Sequence, residues 1–496
     1  MRFKKIESFL QLRTLSLVAG IAVAGFFSSC ATNPVTGKKQ MVLMSEEQEI
    51  AMGQEADPQI VAEFGLYPDS SIQRFIRDRG QAMARLSHRP NLNWTFRVLD
   101  SDQINAFATP GGFVYFTRGI MGYMNDEAQF AGVLGHEIGH VTARHSVSQM
   151  TKATLSQIGL IAAIIAAPEL AQFAESASQG LQLLMLKYSR DAEMESDALG
   201  VEYSSKAGYD AKEMAKFFQT LDREMTSKSN SRLPEFMSTH PDPGNRFSRV
   251  TKLAQDWQKA NPTKQLIVNR NGYLKTIENI VYGEDPRQGF RENGVFYHPD
   301  LRFQFNTPAG WQYQNSPTRV AFAPSDGTAM LFLSMGQGNT PQAAAQALVQ
   351  GANLQVSESR EISVNGLPAL ALVGTQVQQN QQGQSVAGVQ VLAYFIQHNN
   401  IVYQFAGVSA PQNFQQYAQL FQSYMQSFRT LTDPAKINIK PERITLQSVP
   451  RNMTFQQALG SWNIPTSRYE ELAILNGMQV NQSVAAGTMI KIPVRR

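Results

Sequence analysis

Asn125-Asp-Glu-Ala-Gln-Phe130-Ala-Gly-Val-Leu-Gly-His136-Glu137-Ile-Gly-His140 is the stretch from which the rest of the chain is read. Asn125 can cap a helix, Asp126 and Glu127 suit its first turn, and Phe130, Val133, Leu134 and Ile138 line one apolar side. On that helix His136 and His140 stand one turn apart and about 40° round, so both imidazoles reach a single ion at ~2.0–2.1 Å. Glu137 lies about 100° round from His136, beside the ion, where a carboxylate can take a proton from water and later give it to a leaving amine. The chain holds only 7 histidines, so two of them flanking a glutamate at this spacing are hard to place by accident.

Two histidines leave a catalytic metal site one protein ligand short. Asp191-Ala-Glu193-Met-Glu195-Ser-Asp197 is the candidate supplier. If helical, Glu193 and Asp197 share a face, so Glu193 can bind the metal while Asp197 fixes a histidine ring N–H; Glu195 points away and reads as solvated.

With these residues in view the chain resembles a known family. His-Glu-x-x-His, then Glu-x-x-x-Asp, preceded by Asn105-Ala-Phe-Ala-Thr-Pro-Gly-Gly-Phe-Val-Tyr-Phe-Thr-Arg118-Gly and followed by Ser238-Thr-His240-Pro, is similar to the gluzincins that include the CAAX prenyl endopeptidases and the periplasmic beta-barrel assembly-enhancing proteases. The resemblance spans about residues 44–250. It implies one zinc ion per chain and, since no membrane helix comes after the N-terminal apolar run, the soluble envelope branch, which degrades misassembled envelope proteins. It also implies roles for two more residues. His240 is either a donor to the oxyanion of the tetrahedral intermediate or a resting ligand on the open zinc position, and Arg246 either orients the site or is a surface charge. Phe113, Val114, Tyr115 and Phe116 read as a core strand and, because zincins hold substrate along an edge strand, as the substrate-binding strand too. His145 is read as exposed or one step behind the metal, and His88, His298 and His398 as ordinary.

Around this centre the pattern predicts helices over about 45–64, opened by a Ser45/Gln48 capping box, and over 69–86; strands come next at Trp94–Leu99 and Phe113–Thr117. The apolar run Ile158–Ala167, ended by Pro168, is too short for a membrane span and reads as a buried or lid helix. Beyond a polar connector the texture turns to strands at Leu301–Asn306, Val320–Ala323 and Met330–Met335, with turns at Asn365-Gly366 and Asn399-Asn400. Phe414, Tyr417, Leu420, Phe421, Tyr424, Met425 and Phe428 form the core stripe of a helix started by Pro411, and Asp433-Pro434 stops the segment after that helix. Gln376–Gln384 reads as a solvated loop.

At the N-terminus, basic residues precede Leu15–Phe27 and then Ser28, Ser29 and Cys30, the only cysteine, which resembles a bacterial lipobox and implies acylation of Cys30. A single cysteine excludes structural disulfides. The last segment, with Thr454-Phe-Gln-Gln-Ala-Leu, Leu472-Ala-Ile-Leu-Asn-Gly477 and Ala486–Pro493, resembles a degenerate LysM module, a small βααβ fold that binds peptidoglycan. Charged residues are 17%, and Lys+Arg 44 against Asp+Glu 40 give +4, three of which come from Arg2, Lys4, Lys5 and Arg13 against Glu7. So neutral a body has no nucleic-acid footprint.

The expected architecture is α+β and multidomain: a signal peptide (1–29), a linker (30–43), a mostly helical zinc metallopeptidase domain (44–255), a connector (256–296), a strand-rich α/β domain (297–433) and the LysM-like domain (434–496). The expected function is a zinc endopeptidase of the bacterial cell envelope, lipid-anchored in the outer membrane facing the periplasm. Unfolded or misassembled envelope proteins are its expected substrates. The alternative is a peptidoglycan-tethered chaperone or assembly factor with a vestigial metal site; the intact Glu137 argues against it, since a purely structural site needs no base.

Overall fold

The structure is a computed structural model that describes residues 30–152, 187–227, 235–241, 245–379 and 385–495. The expected signal peptide, the apolar run 158–167 and residues 242–244 lie outside the described residues. Among the described residues no helix is long and apolar enough to cross a membrane. The chain divides into two compact units, the first comprising the chain through Val61, Leu66–Ile280 and Ile444–Ile492, the second Ala62–Gly65, Val281–Arg443 and Pro493–Arg496.

The expected linker is folded: β1 (Cys30–Thr32) and β2 (Lys39–Met41) pair antiparallel, and Asn33 reaches across to the carbonyl of Ala143. Helix α1 (Glu46–Phe64) opens on the expected capping box, with Ser45 and Gln48 exchanging hydrogen bonds. Asp69 caps α2 (Ser70–Ala84). A small sheet comes next, in which β5 (Phe113–Thr117) lies between β3 (Thr95–Leu99), parallel to it, and β4 (Ala106–Thr109), antiparallel to it. Thr117 then caps the short α3 (Arg118–Tyr123), which delivers the chain to α4 (Glu127–Thr142).

Helix α4 is the axis of the unit, and each of its residues is buried. Its N-cap is Asp126, one residue past the expected Asn125, because the Asp126 carboxylate accepts from Gln129 N at 2.8 Å. Helices α5 (Arg190–Lys206), α6 (Lys212–Thr226), α7 (Glu235–Thr239), α8 (Arg246–Ala260) and α9 (Arg270–Thr276) complete the layer. Glycines let α5 approach α4 closely: a Cβ on Gly135 would stand 3.0 Å from Gly200 O, and one on Gly139 3.1 Å from Leu199 Cβ. The connector expected at 256–296 does not exist as such, since its first half belongs to this core. Tyr273 is fully buried among Phe75 and Phe130, and its hydroxyl donates to Met121 O at 2.8 Å.

In the second unit β6 (Val281–Tyr282), β7 (Phe290–Glu292), β8 (Val295–His298), β9 (Phe303–Asn306), β10 (Gln312–Asn315), β11 (Arg319–Ala323), β12 (Ala329–Met335), α10 (Pro341–Gly351), β13 (Leu354–Val364), β14 (Leu367–Gln379), β15 (Ser385–His398), β16 (Ile401–Ser409), α11 (Pro411–Gln426) and β17 (Arg429–Thr430) succeed one another in order. Seven strands form an antiparallel sheet in the order β10-β11-β12-β16-β15-β14-β13. Period-two alternation splits it into two cores: Leu392, Tyr394 and Ile396 face the side of Phe303, Phe405 and Phe421, while Val391, Ala393 and Phe395 face Ala344 and Ala345 of α10. The turns Asn365-Gly366 and Asn399-Asn400 have positive φ at both positions, as two-residue hairpins require. The Gln-rich stretch is not a loop throughout, because β14 runs to Gln379 paired with Ser385. Nor does Asp433-Pro434 end structure: Asp433 caps a further short helix, α12 (Pro434–Ile437).

Strand β18 (Glu442–Ser448) returns the chain to the first unit, succeeded by β19 (Met453–Thr454), α13 (Phe455–Ser461), α14 (Tyr469–Leu475), β20 (Ser483–Val484) and β21 (Met489–Arg495). This tail, expected as a domain of its own, packs into the first unit. Lys491 is fully buried, and its Nζ donates to Gly122 O at 2.7 Å and Met124 O at 2.9 Å, at the junction of α3 and α4. Arg223 of α6 donates to Met478 O, and Arg270 of α9 to Met489 O.

Candidate metal centre

The two histidines of α4 point to one place: His136 Nε2 and His140 Nε2 are 3.0 Å apart. Ser189 caps α5, whose Glu193 then sits one turn before Asp197, both fully buried. Glu193 Oε2 lies 3.5 Å from His136 Nε2, and its Oε1 lies 3.4 Å from His140 Nε2. His240, just past α7, brings Nδ1 to 3.1 Å from Glu193 Oε1 and 3.4 Å from His136 Nε2. His136, His140, Glu193 and His240 thus each offer a ligand atom within 4.8 Å of the others. Atoms bound at ~2.0–2.1 Å in a tetrahedron stand about 3.3–3.4 Å apart, so the spacing fits one small cation.

Asp197 behaves as a ligand's support, its Oδ1 3.0 Å from His136 Nδ1. Arg246, first residue of α8, donates to Asp197 Oδ1 at 2.7 Å and approaches Glu193 Oε2 at 3.3 Å, while its guanidinium lies 3.8 Å from the Phe218 ring centre. Arg249, one turn on, also binds Asp197. It was missed in the sequence, although its spacing from Arg246 on one helix was the available signal.

The carboxylates respond oppositely to burial. Burial pushes Glu137 up to about 7, only partly offset by His240, and both of its oxygens lack a hydrogen-bond partner among the described residues. Burial works on Glu193 in the same sense, but His240 and His140 outweigh it and hold it well below the ordinary carboxylate range. Asp197 is likewise held down by Arg246 and His136 against its burial. His136 is pushed down to about 4 by burial, which favours the neutral ring that ligation needs.

The site therefore gathers His136, Glu137, His140, Glu193, Asp197, His240 and Arg246. It does not include the expected substrate strand. Phe113, Val114, Tyr115 and Phe116 lie on β5, the middle strand, with both neighbours taken and all four side chains buried. The edge strand that packs on α4 is β4. The other histidines have partners: His88 Nδ1 meets Tyr203 OH at 2.6 Å, Leu301 N donates to His298 Nδ1 at 3.2 Å, and His398 Nε2 meets Arg302 O at 3.0 Å. His145 lies against His140, Nδ1 to Nδ1 at 3.0 Å, and Glu195, expected to be solvated, meets His145 Nε2 at 3.1 Å. Tyr188 stacks on the His140 ring at 3.8 Å.

Comparison with known proteins agrees with this geometry: residues 70–254 match peptidase family M48. Over that span the chain is similar to a peptidase family M48 domain. Beta-barrel assembly-enhancing protease of Yersinia pestis is 30% identical over 260 residues, 51% of this chain and 53% of that protein. The protein of the same name from Escherichia coli strain K12 is 28% identical over 51% of this chain and 52% of its own length. Mitochondrial metalloendopeptidase OMA1 of Bos taurus is 27% identical over 53% of each chain. The chain thus spans about half the length of these relatives. The matched span places its His-Glu-x-x-His helix and its Glu-x-x-x-Asp helix side by side, as a metallopeptidase requires.

Proposed function

We propose that the chain is a zinc-dependent endopeptidase of the bacterial cell envelope. The observation that carries the reading is the buried convergence of His136, His140, Glu193 and His240 beside Glu137, whose two carboxylate oxygens are buried with no hydrogen-bond partner among the described residues. Buried polar atoms are otherwise nearly always hydrogen-bonded, so a buried carboxylate without a hydrogen bond among the described residues, its nearest charged neighbour His240 Nε2 at 3.6 Å, suits one that works on water. Zinc held by these residues supplies Lewis acidity toward a peptide carbonyl and toward water. Glu137 takes the proton of the attacking water and passes it to the departing amine. Asp197 fixes the His136 ring, with Arg246 and Arg249 holding Asp197 in turn. His240 lies as near Glu193 as the two α4 histidines do, which favours the resting-ligand role over the oxyanion donor.

Protein substrates follow from the family; the two bacterial relatives are named for enhancing beta-barrel assembly, which supports misassembled envelope proteins as the proposed substrates. Acylation at Cys30 would tether the chain to a membrane, and the LysM-like tail would touch peptidoglycan. Purified protein is expected to bind one zinc ion and cleave casein, with chelator abolishing cleavage and added zinc restoring it. Glu137→Gln should keep zinc and lose about 10²–10⁴-fold in turnover. Cleavage at the wild-type rate by that variant removes the proposed base and leaves the rival chaperone reading. Mass spectrometry of the mature N-terminus tests the anchor, and an unmodified Cys30 overturns it.

A further inference from the structure

We propose that His145 and Glu195 form a relay that fixes the ring of His140 and thereby sets how tightly the metal is held. They are positioning residues acting through a ligand, and the inference rests on the zinc reading of the cluster.

The hydrogen-bond chain has one consistent direction. Glu195 Oε2 is 3.1 Å from His145 Nε2, and an ionised carboxylate only accepts. His145 therefore carries a proton on Nε2, and a ring with that proton alone presents a bare Nδ1. That nitrogen faces His140 Nδ1 at 3.0 Å, so the proton between them belongs to His140. His140 with its proton on Nδ1 has a lone pair on Nε2, the atom turned toward His136 and Glu193. Ser196 Oγ, 3.2 Å from His145 Nδ1, can add a second donor to the same acceptor.

The backbone is bent to make this contact. Residues five apart on one helix are about 140° round from each other, so His145 cannot reach His140 from a continuous α4. The helix ends at Thr142, and Arg144 takes a left-handed conformation, φ 57°, seldom adopted by a residue with a side chain. Arg144 is held there by Glu49 at 2.8 Å and by Met44 O at 3.2 Å. The turn so fixed carries His145 back beneath His140. The two α4 ligands are thus supported differently: His136 by a fully buried carboxylate, His140 through an intervening imidazole whose carboxylate is 29% exposed.

The test is zinc affinity of the full-length protein by competition with a chromophoric chelator, alongside melting of the zinc-free form. His145→Phe keeps a ring and removes the acceptor; it should weaken zinc binding about 10–100-fold and alter the visible spectrum of the cobalt-substituted protein. Glu195→Ala, at a partly exposed position that tolerates truncation, should weaken it in the same direction by less. His145→Gln, whose side-chain oxygen can accept from His140, should recover much of the loss. Melting of the zinc-free protein should stay near wild type in all three. Affinities within twofold of wild type in both His145→Phe and Glu195→Ala overturn the relay alone. A wild-type protein that holds no zinc overturns the metal reading, and the relay with it.

Discussion

The metal cluster and the seat of Lys491 are two places where the first unit buries ionisable groups, and they satisfy them by different means. In the cluster, side chain answers side chain: Asp197 meets His136, Arg246 and Arg249, and Glu193 meets His140 and His240. At Lys491 the partners are two backbone carbonyls, Gly122 O and Met124 O, at the end of α3. Burial moves the Lys491 amine well below its ordinary value, with Arg270 acting in the same direction and Asp126 against it. Side-chain partners leave a pattern in the sequence. Backbone partners leave none, since every residue carries a carbonyl.

Breaking the cluster should give the largest effects. His140→Ala or Glu193→Gln should lose zinc on dialysis, whereas Asp197→Asn should keep it with affinity lowered about 10–100-fold, because it only orients a ligand. Metal content and affinity measured together decide this. Loss of zinc in Glu195→Gln but not in Glu193→Gln would put the ligand on the wrong face of α5. His240→Ala sharpens the reading of the same site. As a resting ligand its removal should raise basal casein turnover, while a donor to the oxyanion would cost about 10²–10³ in turnover with zinc retained.

The same contrast separates what could be read in the sequence from what could not. The metal helix followed from Phe130, Val133, Leu134 and Ile138, and Glu193 and Asp197 from their shared face. The hairpin turns at Asn365-Gly366 and Asn399-Asn400 were legible because positive φ selects those residues. Strand order was not, for alternation says which face is buried and nothing about which neighbour pairs. Hence the expectation of an edge strand at Phe113–Phe116 fails, because β5 is central. For His145 the sequence does not decide between exposed and one step behind the metal, because its contact with His140 depends on a helix break at Arg144, whose identity gives no warning of φ 57°. Tyr273 and Leu274 were lost in a polar stretch, two core residues on a helix of 7 residues, too short for a period to show.

Lys491 offers the smallest effect and the cleanest sign. Lys491→Met keeps the length of the side chain and leaves Gly122 O and Met124 O without their donor, which should cost about 1–3 kcal/mol when the amine of the wild type is neutral. The pH dependence follows from the lowered folded pKa. In the window between that value and the ordinary value of about 10.4 in the unfolded chain, the unfolded state binds a proton that the folded state does not. Folding stability contributed by this group therefore rises with pH through the window and levels off above it. The methionine variant has no such group, so the stability of wild type minus variant should grow from about pH 7 to about pH 10, measured by urea unfolding of the zinc-free proteins. A difference that stays constant over that range would mean that the buried amine keeps its proton, and that two carbonyls suffice to hold a charge where the cluster uses a full set of opposed side chains.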